Sequence, residues 1–214
     1  MLLFIPLHWL IIVDFLKKLL LADSIVKEVA ALPGVKRHII RGGRLGDFVD
    51  GIENGTIDLT GMDAVLVHAG TNDMARRYDP HHVLAEMGAL IRCIRRMNSS
   101  IYVVVSGILP RLCDLARSLE PVREYNKMLV RICRDKDVMV IRSWHAFTSG
   151  KEVQGVKEWL YSCDKLHLSV RGSFVLTQVF RVQYSDRNVL QRRQSLDQEA
   201  DDRVVRETSF GADD

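Results

Sequence analysis

LLLADSIVKEV, residues 19–29, drives three leucines into Ala22-Asp23-Ser24 and then places Ile25, Val26 and Val29 at helical spacing. An apolar run this short, cut off by small polar residues, reads as a buried strand brought to its carboxyl end. A serine on the turn that follows has two readings. It caps the helix, its hydroxyl accepting from a first-turn N–H, or it is a nucleophile held up at the edge of a sheet. The rest of the chain has to choose.

Strand-length runs recur at Val35–Ile40, Ala64–Val67, Ile101–Val105 and Val138–Ile141. The later ones are rich in Val and Ile with little alternation, which predicts strands buried on both faces, as in a parallel sheet covered by helices. Helical stripes lie between them: Ile25, Val26, Val29 and Leu32, then Leu45, Phe48, Val49 and Ile52. Asp79-Pro80 predicts an N-cap and the first residue of a helix to about Met97. Pro121 suits the start of another through Arg134, and a last helix follows Gly172. The alternation predicts an α/β fold, a flavodoxin-like three-layer α/β/α sandwich on five parallel strands. In the order 2-1-3-4-5, ligands meet the crevice beyond the carboxyl ends of the first and third strands. Those ends are Ala22-Asp23-Ser24 and HAGTND, residues 68–73.

The 214 residues, 47% hydrophobic and 27% charged, suit one globular domain with a sizeable core. We place it at residues 17–182, preceded by an apolar segment, 1–16, and followed by a polar, disordered tail, 183–214. A net charge of +3, scattered along the chain, makes no case for nucleic acid. Arg92, Arg95 and Arg96 read as a solvated helix face. The four cysteines show no C-x-x-C pair or zinc spacing and read as reduced thiols, which favours the cytoplasm. MLLFIPLHWLIIVDF, residues 1–15, is shorter than the roughly 18–20 residues of a membrane span and lacks the marks of a signal peptide. An extra apolar element laid on the core is favoured over a membrane-associating segment or an accident of where the chain start is set.

Three polar stretches fall where this fold brings them together: Ser24, then Gly70-Thr71-Asn72-Asp73, then Asp164 and His167 in CDKLHLS. Between the first two lies the glycine-rich RGGRLGDF, residues 41–48. Taken together they resemble the SGNH hydrolases, or GDSL-like esterases, whose four separated blocks carry Ser, Gly, Asn and His on a flavodoxin-like sheet. The resemblance spans roughly Leu19 to Phe180. No single block is specific, but four in order at strand ends are. The wording of VHAGTND and SGILPR is similar to esterase-like domains of animal genomes, some within retrotransposon reading frames.

The resemblance implies that Ser24 is the nucleophile, His167 its general base and Asp164 the residue that fixes the imidazole tautomer. A serine hydroxyl needs such a base within hydrogen-bond reach, and D-x-x-H puts both side chains on one side of a helical turn. The backbone N–H groups of Ser24 and Gly46 and the side-chain amide of Asn72 would form the oxyanion hole. Gly46 is preferred to Gly42 and Gly43 because its place in GGRLGDF matches the second-block glycine. One departure stands out: the family begins Gly-Asp-Ser, this chain Ala22-Asp23-Ser24. With a positive φ at that position, alanine would cost about 1–2 kcal/mol.

Asp23 and Asp73 read as turn residues, and His68, His81, His82 and His145 receive no role. Arg111, in ILPR after the fourth strand, is a candidate substrate contact, balanced against a solvated arginine. Trp144 and Phe147 either wall the pocket or pack the core. The expected function is a cofactor-free, metal-free serine esterase acting on a small-molecule, carbohydrate or lipid ester. Short acyl chains are favoured, since no long apolar lid separates the blocks. The alternative is a catalytically decayed binding module that keeps the fold. A nucleotide or flavin binder ranks low, for want of a glycine-rich turn directly after the first strand.

Overall fold

The computed structural model describes residues 16–30, 32–134, 136–149, 155–185 and 188–191. Strands β1 (Lys18–Asp23), β2 (Val35–Ile40), β3 (Ala64–His68), β4 (Tyr102–Ser106) and β5 (Met139–Ile141) form one sheet. All its pairs are parallel, in the expected order β2-β1-β3-β4-β5.

Strand side chains alternate between two apolar layers. Leu19, Leu21, Val65, Val67, Val103 and Val105 enter one, and Leu20, Ala22, Leu66, Val104 and Ile141 the other. This is the period of two, with both faces covered. Each fully buried leucine, such as Leu20 or Leu21, contributes about 1.5–3 kcal/mol. Helices α1 (Leu45–Glu53), α2 (Thr71–Arg77), α3 (Pro80–Met97) and α4 (Leu115–Arg134) pack into the first layer through residues such as Phe48, Met74, Met87 and Tyr125. Helices α5 (Trp144–Phe147) and α6 (Val170–Gln183) close the second with Phe147, Leu176 and Phe180.

Local chemistry sets the helix starts. In α1, Arg44 N–H donates to Asp47 at 2.7 Å. In α3, Asp79 accepts from the N–H groups of His81 and His82 with Pro80 in the first turn, as expected. Four expectations need correction. After Ser24 the chain makes only a 3-10 turn, Ser24–Val26. Pro33-Gly34 and the start of β2 leave too little chain for a cooperative helix, although Val29 and Leu32 are still buried. Helix α4 begins six residues before Pro121, which lies inside it. Helix α6 begins at Val170, capped by Ser169, so Gly172 is interior. The GTND stretch holds Asp73, which reads as a turn residue. It opens α2 instead, with Gly70 at φ 109° as the cap.

Packing also continues past Gln183: Tyr184 and Val189 are buried, and residues 188–191 are helical. The polar composition there conceals two apolar anchors. The expectations for residues 1–15 and 192–214 fall outside the described residues. Among the described residues, no helix is long and apolar enough to cross a membrane. All four cysteines are free.

Candidate active site

Strand β1 ends at Asp23, whose carboxylate caps the 3-10 turn by accepting from Ile25 N–H at 3.0 Å. Ser24 is therefore the first residue beyond the sheet, partly exposed among buried neighbours. Ala22 is fully buried within β1 and does not have a positive φ. The strain that alanine would carry in a left-handed turn does not arise. Asp23 is 1% exposed and its second oxygen has no partner. Burial pushes its carboxyl up to about 6, with the charge of Asp73 adding to the rise.

The serine hydroxyl lies 3.2 Å from His167 Nε2. The opposite ring nitrogen, Nδ1, lies 2.6 Å from Asp164 Oδ2. With Nδ1 donating to the carboxylate, Nε2 turns its lone pair to the serine hydroxyl. Asp164 and His167 share a bend rather than a helical turn. Asp164 Oδ1 accepts from Ser162 Oγ, Leu166 N–H and His167 N–H at 2.8–3.0 Å. The bond to His167 and these three donors hold the Asp164 carboxyl well below the usual carboxylate range. Lys165 takes φ 59° to make the bend. Its carbonyl is held by Cys113 N–H at 3.0 Å. Behind the bend, α6 lies hard against the preceding segment. A Cβ on Gly172 would sit 1.9 Å from the carbonyl oxygen of Leu160.

The second and third blocks are tied to each other. Asn72 Nδ2 donates to the carbonyl oxygen of Gly43 at 2.9 Å. Leu45 N–H meets both oxygens of Asp73 at 3.2–3.3 Å. Asp73 was expected to bond nearby backbone. It reaches across 28 residues to cap α1 instead. Gly46 sits in the first turn of α1, where an N–H has no carbonyl one turn back to bond. Nothing lies within 4 Å of where its Cβ would be. Gly43 is different, since a Cβ there would strike Ile40. The arrangement brings a hydroxyl, an imidazole, a carboxylate and a side-chain amide to the carboxyl rim of the sheet, which suits acyl transfer.

Two other residues differ from expectation. Arg111 is only 5% exposed. Its guanidinium contacts both oxygens of Asp114 at 2.8–3.1 Å and donates to the Thr71 carbonyl at 3.2 Å. It clamps the loop after β4 to the first turn of α2, so it is not the solvated arginine of the other reading. His68 received no role, yet its Nδ1 lies 2.8 Å from Ser106 Oγ, which lies 2.7 Å from Ser143 Oγ. This chain ties together the carboxyl ends of β3, β4 and β5. Burial drives the His68 imidazole down to about 4, so it is neutral. Only position could have revealed it: a histidine ending a buried strand needs a partner. Phe147 packs the core edge-on to Tyr161, while Trp144 is half-buried beyond β5.

The sequence profile of the GDSL-like lipase/acylhydrolase family matches residues 16–173. The chain belongs to that family. A search of curated protein sequences finds no match. Among solved structures, a GDSL-like lipase from Bacteroides thetaiotaomicron is 16% identical with a TM-score of 0.64, over 77% of this chain and 86% of that one. A catalytic mutant of the acetylxylan esterase Axe2 from Geobacillus stearothermophilus is 16% identical with a TM-score of 0.58, over 81% and 94%. The esterase domain of the zebrafish ZfL2-1 retrotransposon ORF1 protein is 22% identical with a TM-score of 0.44, over 79% and 98%. At such identities the first two likenesses bear on the GDSL-like fold alone.

Proposed function

We propose that this GDSL-like acylhydrolase is a serine ester hydrolase working through Ser24, His167 and Asp164. Ser24 Oγ attacks the ester carbonyl carbon while His167 Nε2 takes its proton. The tetrahedral oxyanion is received by the N–H groups of Ser24 and Gly46 and the free amide hydrogen of Asn72. The carbonyl re-forms, the carbon–oxygen bond to the alcohol breaks, and His167 returns the proton to the departing oxygen. Water then attacks the acyl-serine with His167 again as base, releasing the acid and restoring Ser24. The observation that carries this reading is the 3.2 Å contact between Ser24 Oγ and His167 Nε2, made across 143 residues of chain.

His167 and Asp164 have 28% and 48% of their side-chain surface exposed. A rim this open suits a short acyl group on an exposed alcohol, as on an acetylated sugar. Ala22, the one departure from the family's Gly-Asp-Ser, sits in ordinary strand backbone and does not favour a non-catalytic binding module.

A fluorophosphonate probe tests the mechanism: labelling should occur in the wild type and vanish in Ser24→Ala. Folded wild-type protein that takes no label would refute it. Turnover of p-nitrophenyl acetate above that of the long-chain esters, alongside acetylated sugars, tests the substrate class.

A further inference from the structure

On the β5 flank a groove of about 820 Å³ runs between α4 and the segment that follows β5, and it shares no lining residue with the serine site. One wall is a stripe of α4. Arg123, Lys127, Arg131 and Arg134 recur at i, i+4, i+8 and i+11, a spacing that keeps them on one helical face. Arg142 and Trp144 stand on the opposite wall, and Val130, Val140 and Ile141 line the space between. Five cations line this groove with no carboxylate among its lining residues, on a chain whose net charge is only +3. Arg123 pairs with Glu120 at 2.5 Å. The neighbouring Glu124 reaches toward His81 instead. Among the described residues, Lys127, Arg131, Arg134 and Arg142 form no ion pair, and all four are exposed.

We propose that this groove binds single-stranded nucleic acid. Like charges held along one helical face repel one another, so the surface is complementary to a polyanion. Four of the five cations are arginines, whose planar forks match phosphate oxygens. The stripe from 123 to 134 extends about 16 Å at 1.5 Å per residue, which suits several successive phosphates better than one. Trp144 lines the groove, packed in part against the core and only half-buried, and in this proposal the part left open stacks an unpaired base. That feature separates a single strand from a duplex, and from an acidic peptide or an anionic membrane, neither of which needs a stacking platform. The small net charge conceals the groove, because acidic residues elsewhere cancel it.

The test is fluorescence anisotropy of the full chain with a labelled oligouridylate of about ten nucleotides, across a range of potassium chloride. Binding should weaken with salt at a log–log slope of about −0.7 per phosphate engaged, and Trp144 fluorescence should be quenched. The double substitution Lys127→Glu/Arg131→Glu, on exposed helix positions, should cut affinity at least tenfold and flatten the slope. Its turnover of p-nitrophenyl acetate should stay at the wild-type level, so this result stands apart from the esterase test. Absence of binding at low salt, or affinity unchanged in the double variant, overturns the proposal. So does equal or tighter binding of the matching duplex, of poly-glutamate, or of phosphatidylserine vesicles.

Discussion

The side-chain amide of Asn72 donates one hydrogen to the carbonyl oxygen of Gly43 at 2.9 Å, and so points its second hydrogen in a fixed direction. The bond joins the loop after β2 to the first turn of α2, and the Asp73–Leu45 contact fastens the same two segments. In the mechanism we propose, this sets a donor for the oxyanion before substrate arrives, without reorganisation at the moment of attack.

Asn72→Ala should therefore lower kcat for p-nitrophenyl acetate by about 10²–10³, the usual loss for one oxyanion donor, with KM nearly unchanged. Steady-state kinetics check this. A kcat within threefold of wild type would remove Asn72 from the oxyanion hole.

Asp164→Asn should cut kcat by about 10³–10⁴ by presenting the wrong histidine tautomer to Ser24. It also bears on acid stability. The folded carboxyl of Asp164 lies below its unfolded value of 3.8, so its contribution is present above that value and lost as pH falls. The variant should show a shallower loss of Tm on acidification below pH 4.

Two glycines should separate cleanly. Gly46→Ala puts a methyl into open space and keeps the N–H, so Tm should hold or rise by the equivalent of up to about 1 kcal/mol. Gly172→Ala drives a methyl into the Leu160 carbonyl, and α6 has to move, at a cost on the order of 1–3 kcal/mol. That shift should also disturb the bend carrying His167. Thermal melts read beside turnover check both, and an unaltered Tm in Gly172→Ala would contradict the close contact.

Asp23 and His68 give opposite pH slopes. Asp23, raised from 3.8 to about 6, makes the fold less stable as pH climbs through that interval. His68, lowered from 6.5 to about 4, makes it more stable as pH climbs from 4 to 6.5. Each spans up to about 3 kcal/mol at 1.36 kcal/mol per unit, so in the wild type they largely cancel. Asp23→Asn should unmask a stability that rises with pH, and His68→Gln one that falls. Urea melts at pH 4, 5, 6 and 7 check this, and parallel profiles for the two variants would refute it.

Much of this was readable in the chain. Two-faced apolar runs such as Val103–Val105 dictated a covered parallel sheet, and its strand ends located Ser24 and Asn72. What escaped depended on long-range partners. Asp114 stands only three residues beyond Arg111, but nothing near it announces that the Thr71 carbonyl, 40 residues away, will take up its guanidinium, and nothing near Asp73 announces the N–H of Leu45. Pro121 misled because proline is tolerated within α4 as well as at a start. The basic stripe of α4 was visible at helical spacing, but a whole-chain charge average hid it.

The 143 residues between Ser24 and His167 also bear on synthesis. The hydroxyl leaves the ribosome 143 residues ahead of the imidazole, which arrives only when the closing bend is translated and α6 docks behind it. On the proposed mechanism, a chain that stops short of His167 lacks the base and should take no probe, so the onset of labelling would report the docking of that bend.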